Sequence, residues 1–168
     1  MASNGSNDSV WQAPNNWQNR PVCVLGGGVL GRRIAACFVS AGWEVRIRDP
    51  SQKARDEAVE YINNNLAAFT ALSHRQAGNI EAVAELSDAV KDCWLVFEAV
   101  PEILKLKEDT FVDLERHAPN DCILGSNSSS YKSSELLGKV KDETKTRVLN
   151  THFMMPPQVI HITILHRP

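Results

Sequence analysis

Apolar residues along this chain fall into short runs separated by stretches of helical spacing. Residues 21–25 (Pro-Val-Cys-Val-Leu) form an apolar run, the pattern of a strand buried on both faces. From 29 to 41 the apolar positions recur with helical period. Residues 44–48 alternate Val45 and Ile47 with Arg46 and Arg48, which predicts a strand with the two arginines on a solvent-facing side. A long helix is predicted over 51–72, a turn over 75–79, a short strand near 80–84 and a helical turn near 87–91. Trp94 to Val100 is too short and too rich in β-formers for a helix and reads as a buried central strand. Pro101 is expected to open a helix over about 102–117, with Glu102 in its first turn where the helix dipole favours an acid. Pro119-Asn120 closes it. Cys122 to Gly125 is the next strand and leads into the polar loop Ser126-Asn127-Ser128-Ser129-Ser130. A short helix over about 133–138 precedes a strand over about 146–150 that runs out on Thr151-His152. Strands alternating with helices predict an α/β fold with a doubly wound, mostly parallel sheet and helices on both faces.

The same patterning divides the chain. Residues 1–20, rich in Asn, Gln and Ser, read as a mobile tail with Trp11 and Trp17 as docking points. Residues 21–157 form one domain, and 158–168 read as an irregular tail. No internal repeat is present.

Chemistry enters at the first turn. The strand ending at Leu25 runs into Gly26-Gly27-Gly28-Val29-Leu30-Gly31, a G-x-G-x-x-G sequence that opens a helix. Gly26 permits a sharp turn out of the strand. Gly28 lets a pyrophosphate reach the helix N-terminus, where unpaired N–H groups and the dipole attract anions. Gly31 lets the helix lie close to the sheet. Asp49 follows at the tip of the second strand, at the distance where a carboxylate accepts from both hydroxyls of an adenosine ribose. That carboxylate would repel a 2′-phosphate. Together these residues imply a Rossmann-type dinucleotide site for NAD rather than NADP. A merely structural glycine-rich turn is the alternative. Arg46 and Arg48 are a caution, because an Arg beside the ribose can accept a 2′-phosphate.

Composition narrows the partners. The 168 residues are 43% hydrophobic and 23% charged with a net charge of −2, ordinary for a globular fold and without the basic excess of a nucleic-acid or membrane-surface binder. The four cysteines (Cys23, Cys37, Cys93, Cys122) make no C-x-x-C pair and sit in or beside apolar segments, so free buried thiols and a cytoplasmic location are expected. No metal site is expected.

In a doubly wound sheet, ligands lie beyond the carboxyl ends of the strands. There the later strands deliver Glu102, with Lys107 further along its helix, then the serine loop, then His152. A Ser and a His beside a nicotinamide suit oxidation of an alcohol: the His takes the hydroxyl proton and the Ser orients the oxygen. The plain readings stand beside this one. Serine loops commonly serve as turns and caps, and a His at a strand end is commonly structural. Lys105, Lys107, Glu108 and Asp109 read most simply as a solvated helix face. His74 and His117 read as solvated helix-end residues.

These stretches together resemble the L-3-hydroxyacyl-CoA dehydrogenase family, in its N-terminal NAD-binding domain. The resemblance runs from about Pro21 to Pro157. It rests on Val24 to Gly31, on Phe97-Glu98-Ala99-Val100-Pro101-Glu102 with Leu104-Lys105-Leu106-Lys107, on Ser126 to Ser130, and on Thr151-His152-Phe153. It implies that the cofactor lies on Gly26, Gly28, Val29, Leu30, Gly31 and Asp49, with Glu102 and Lys107 along it. Ser129 would hold the substrate's 3-oxygen, and His152 would be the acid/base between 3-hydroxyacyl-CoA and NAD. Acyl-CoA contacts would fall near Ser51 to Arg55.

Three departures accompany the resemblance. The family's His is polarised by a Glu a dozen residues later; Ile164 holds that place, and no Asp or Glu follows Glu143. The family's Asn three residues after the His is Met155. The family's C-terminal helical domain, which forms its dimer, is not in this sequence. The text after Pro157 departs from the family, as in a truncated or misjoined product. Impaired activity and self-association through Met154, Met155 and Ile160 to Leu165 are the resulting expectations. A dehydrogenase of a free hydroxy acid and a non-catalytic NAD-binding or interaction module are the alternatives.

Overall fold

The computed structural model describes residues 11–155, Pro157 and residues 163–164. A single seven-stranded sheet runs through it. The elements in chain order are β1 (Val22–Leu25), α1 (Val29–Ser40), β2 (Val45–Arg48), α2 (Gln52–Ser73), β3 (Ile80–Val83), α3 (Leu86–Val90) and β4 (Leu95–Glu98). They continue with α4 (Leu104–His117), β5 (Ile123–Ser126), α5 (Ser133–Leu136), α6 (Asp142–Lys145), β6 (Val148–His152) and β7 (Thr163–Ile164). The strand order is β3-β2-β1-β4-β5-β6-β7. All pairs from β3 to β6 are parallel, and β7 alone is antiparallel to its neighbour β6.

Chain direction across the sheet reverses between β1 and β4, which opens a crevice beyond their carboxyl ends. Dinucleotides bind in this place in doubly wound folds.

Both faces of the sheet are covered. Val22 and Val24 of β1 point into a core with Ile34 and Val39 of α1 and Ile62 and Phe69 of α2. Cys23 and Leu25 point the other way, against Phe111 and Leu114 of α4 and Leu136 beyond β5. Alternate side chains thus serve opposite layers, so β1 has to be apolar at every position. Among the described residues no helix is long and apolar enough to cross a membrane.

The element pattern follows the expectation except at five places. Residues 11–20, expected as part of a mobile tail, lie on the domain: Trp17 packs against Trp43 and Trp94 with ring centroids 5.5 and 5.3 Å away. Arg20 grips Asp121 through two bonds of 2.6 and 2.9 Å. The arginines of β2 do not face open solvent. Arg46 caps the end of α3 through the carbonyls of Asp88 and Lys91, and Arg48 donates to Ala84 O. Helix α4 starts at Leu104 rather than at Glu102, because Ile103 N–H closes a turn on Pro101 O and the Glu102 carboxylate is drawn to the serine loop. Helix α6 has no counterpart in the hydrophobic pattern, because its four residues are too few to show a period. Thr163–Ile164 lie in a strand inside the stretch expected to be irregular, paired to Thr151 and His152. The rest of 158–168 lies outside the described residues.

The cysteines are free as expected, with Cys23, Cys93 and Cys122 buried. Burial pushes the Cys122 thiol up to about 12 and that of Cys37 up to about 11. Such thiols are inert as nucleophiles. His74 and His117 are exposed at helix ends, and Met154 and Met155 are exposed.

Candidate active site

The glycine turn meets its geometric requirements residue by residue. Gly26 has φ +108°, and a Cβ there would lie 2.5 Å from Ala99 O. At Gly31 a Cβ would fall on the carbonyl oxygen of Gly26 and against Val24, so the helix can follow the strand this closely only without a side chain. Gly28 differs: a Cβ there meets nothing within 4 Å. The space in front of it is open, and α1 begins there without a side-chain cap. Unpaired N–H groups at that helix end are the anion site that a pyrophosphate requires. Val29, 57% exposed, flanks it.

Asp49 closes the turn from the second strand. One of its oxygens accepts from Gly27 N–H and the other from Ser51 N–H, each at 2.9 Å. The carboxylate is therefore held at the tip of β2 before any ligand arrives. The nearby arginines are engaged elsewhere. Arg55 donates to Asp49 O and to Gln52, and Arg46 and Arg48 hold the carbonyls named above. All three therefore donate to groups of the protein itself.

The other end of the crevice is built from side chains. Glu98, the last residue of β4, is fully buried. Its Oε1 accepts from Lys107 Nζ at 2.7 Å and from Val100 N–H at 2.9 Å; its Oε2 accepts from the Ser126 hydroxyl at 2.8 Å. Lys107 also reaches Glu102 Oε2 at 3.1 Å and Val100 O at 3.2 Å. All three of its protons are thus spent inside the protein, and it is 1% exposed. Lys107 is therefore not a residue of a solvated helix face. It holds Glu102.

Glu102 is partly exposed at the mouth, where Oε1 accepts from Ser130 N–H at 2.9 Å and from the Ser128 hydroxyl. Burial pushes its carboxyl up, but the Ser128 hydroxyl, the Ser130 N–H and Lys107 outweigh this, and the net shift is downward from 4.5. Ser129 sits exposed between the two serines so held.

His152 ends β6, next to β5 in the sheet, so it arrives at the edge that carries the serine loop. Its neighbours fix its backbone. Thr151 donates to Ser126 O at 3.2 Å, and Phe153 N–H donates to Asn127 Oδ1 at 2.7 Å. The Phe153 ring meets Phe97 edge-on at 5.2 Å. His152 itself is half-buried and pairs with Thr163 through the sheet. Ile164 lies opposite Thr151, beside it. Among the described residues no carboxylate lies within ion-pair distance of His152.

The sequence pattern gives Glu98, Ser126 and Asn127 no individual role beyond membership of the matched stretches. One signal was available: a lone carboxylate in an otherwise apolar central strand requires a buried partner. Two cavities of about 480 and 620 Å³ lie elsewhere, one lined by Trp11, Glu115 and Arg147, the other by Asp56, Glu60 and Ile80. Neither includes a residue of the glycine turn or the serine loop.

A doubly wound sheet with a glycine turn, a ribose acid and a Ser/His edge defines a nicotinamide-dinucleotide domain. Residues 21–164 match the family described as 3-hydroxyacyl-CoA dehydrogenase, NAD binding domain, and the chain belongs to it; its cofactor is NAD. It is 31% identical over 157 residues to a probable 3-hydroxyacyl-CoA dehydrogenase of Caenorhabditis elegans, covering 85% of this chain and 51% of the relative. It is 28% identical over 147 residues to a glyoxysomal fatty acid beta-oxidation multifunctional protein of Brassica napus, covering 83% and 20%. The solved structure of 3-hydroxybutyryl-CoA dehydrogenase from Escherichia coli K12 superposes with a TM-score of 0.73 at 26% identity, over 83% of this chain and 30% of that one. The chain thus spans between a fifth and half of the length of these relatives.

Proposed function

We propose that this chain serves hydride transfer between L-3-hydroxyacyl-CoA and NAD, in fatty acid metabolism. The observation that carries the reading is the delivery of Ser129 and His152 to the same sheet edge as the glycine turn and Asp49. NAD, when bound, supplies the hydride acceptor. Gly28 and the uncapped start of α1 would receive its pyrophosphate, Asp49 its adenosine ribose, and Glu102 would lie along its other half. The Ser129 hydroxyl would orient the substrate's 3-oxygen, and His152 Nε2 or Nδ1 would take the hydroxyl proton as the alcohol becomes a ketone. The free cysteines support a cytoplasmic setting.

A second reading, NAD binding without turnover, is favoured by His152 having no carboxylate within ion-pair distance among the described residues. A carboxylate beside a catalytic imidazole fixes its tautomer and stabilises its cation, and removal of that partner costs roughly 10⁴ in rate in a serine-protease triad. The test is a fluorescence titration with NADH, followed by NADH oxidation with acetoacetyl-CoA. Saturable binding that weakens in Asp49→Asn supports the cofactor site; no binding by folded protein refutes it. Oxidation by the wild type that is lost in His152→Ala supports the dehydrogenase. Binding with no oxidation supports the second reading.

A further inference from the structure

We infer that Glu98 is a positioning residue of this site, setting through Lys107 and Ser126 where the serine loop meets the nicotinamide half of the cofactor. The inference rests on the cofactor reading above and deepens it at a residue that touches no ligand.

A fully buried carboxylate persists only if its lone pairs are filled. Glu98 fills them with donors from three separate segments: Val100 in the loop after β4, Lys107 on α4 and Ser126 at the end of β5. Its own carbonyl accepts from Asn127 N–H at 2.8 Å. The connections continue in both directions. Ser126 Oγ accepts from Ser128 N–H at 3.2 Å. Lys107 holds Glu102, which accepts from the Ser128 hydroxyl and from Ser130 N–H.

Glu98, Lys107, Glu102, the Ser128–Ser130 loop and Ser126 therefore form a closed ring. Glu98 is the member that both arms share, and Ser129 is carried on the far side. Replacement by Gln keeps the shape and lets the Ser126 hydroxyl accept where it had donated, but it removes the charge that holds Lys107, so the Lys107 arm is the one that loosens.

The adenosine half meets this ring only through backbone, where Gly26 lies against Ala99 and Val100 and Leu25 pairs with Glu98; no side chain of the ring reaches Asp49. Asp49 is tied to Gly27 and Ser51, and the glycine turn to β1, α1 and α2. Loss of the ring should consequently act on one half of the cofactor only. A general loss of stability would act on both.

Calorimetric titrations with ADP, which occupies only the adenosine half, and with NADH distinguish the two. Glu98→Gln is expected to weaken NADH binding about tenfold while ADP binding stays within twofold. Ser126→Ala cuts the same ring without disturbing the Lys107 charge and is expected to show the same split. It carries the test if Glu98→Gln does not fold. Unchanged NADH affinity, or ADP and NADH affinity falling together, overturns the inference. A folded wild type that binds neither nucleotide overturns the cofactor reading and this inference with it. Wild-type binding of both, with no split in the variants, overturns the inference alone.

Discussion

The two ends of the crevice are built from different materials. At the adenosine end the ligand would meet backbone: glycines at Gly26, Gly28 and Gly31, free N–H groups at the start of α1, and one carboxylate held by two more N–H groups. At the nicotinamide end the recognition surface is a loop held in place by buried side chains, with an ammonium between two carboxylates. The first end is local, drawn from a βαβ unit that folds as one piece of chain. The second is assembled from β4, α4, β5 and β6. Backbone recognition is constrained by sterics, whereas a side-chain ring is constrained by charge balance. The two ends should therefore fail in different ways.

The largest effect is expected at the charge-balanced end. Lys107→Met leaves the Glu98 carboxylate buried without its cation. Breaking a buried pair from one side costs about 3–5 kcal/mol, readable as a lowered urea midpoint. A loss below about 1 kcal/mol would mean that the ring does not support the fold. The adenosine end offers a contrast within one motif. Gly31→Ala places a methyl on the Gly26 carbonyl and is expected to destabilise by about 3 kcal/mol, the upper part of the range for overpacking. Gly28→Ala adds its methyl to open space at φ −66°. It should change stability by no more than about 0.5 kcal/mol yet weaken NADH binding about tenfold or more. Equal behaviour of the two variants in the urea melt and the titration would remove the distinction between a packing glycine and a ligand-facing one.

The smallest effect is one of pH. The Glu102 carboxyl is held below its ordinary 4.5 in the fold. A group depressed in the folded state contributes stability above its unfolded pKa and loses it as pH falls through the folded value. The Glu102 contribution is thus complete near neutrality and is lost below 4.5. Its partial exposure keeps it modest. Urea midpoints measured from pH 7 down to pH 3 should fall less steeply in Glu102→Gln than in the wild type; parallel curves would show that the serine loop does not draw on this charge.

Legibility in the sequence follows the same division. The strand–glycine–helix–strand–acid order could be read directly, because each glycine answers a steric demand made by its immediate neighbours. Ser129 and His152 could be placed at the cofactor edge because a parallel sheet sends all its carboxyl ends to one side. Helical spacing alone puts Lys107 on a solvated helix face, whereas the tertiary structure buries it. Helical spacing reports which face of α4 is apolar, but not that one of its cations has a carboxylate waiting on β4.

The sequence by itself thus determined the sheet architecture, the NAD-binding turn and the identity of the residues at the strand ends, since these depend on periodicity and on backbone sterics between near neighbours. Only the tertiary structure decided that Glu98 and Lys107 form a buried pair, that Glu102 stands outside its helix to hold the serine loop, that Arg46, Arg48 and Arg55 are engaged by protein carbonyls, and that Ile164 pairs with Thr151 on a strand beside β6. Each of these depends on the pairing of groups distant in sequence, where burial makes partners obligatory but does not name them.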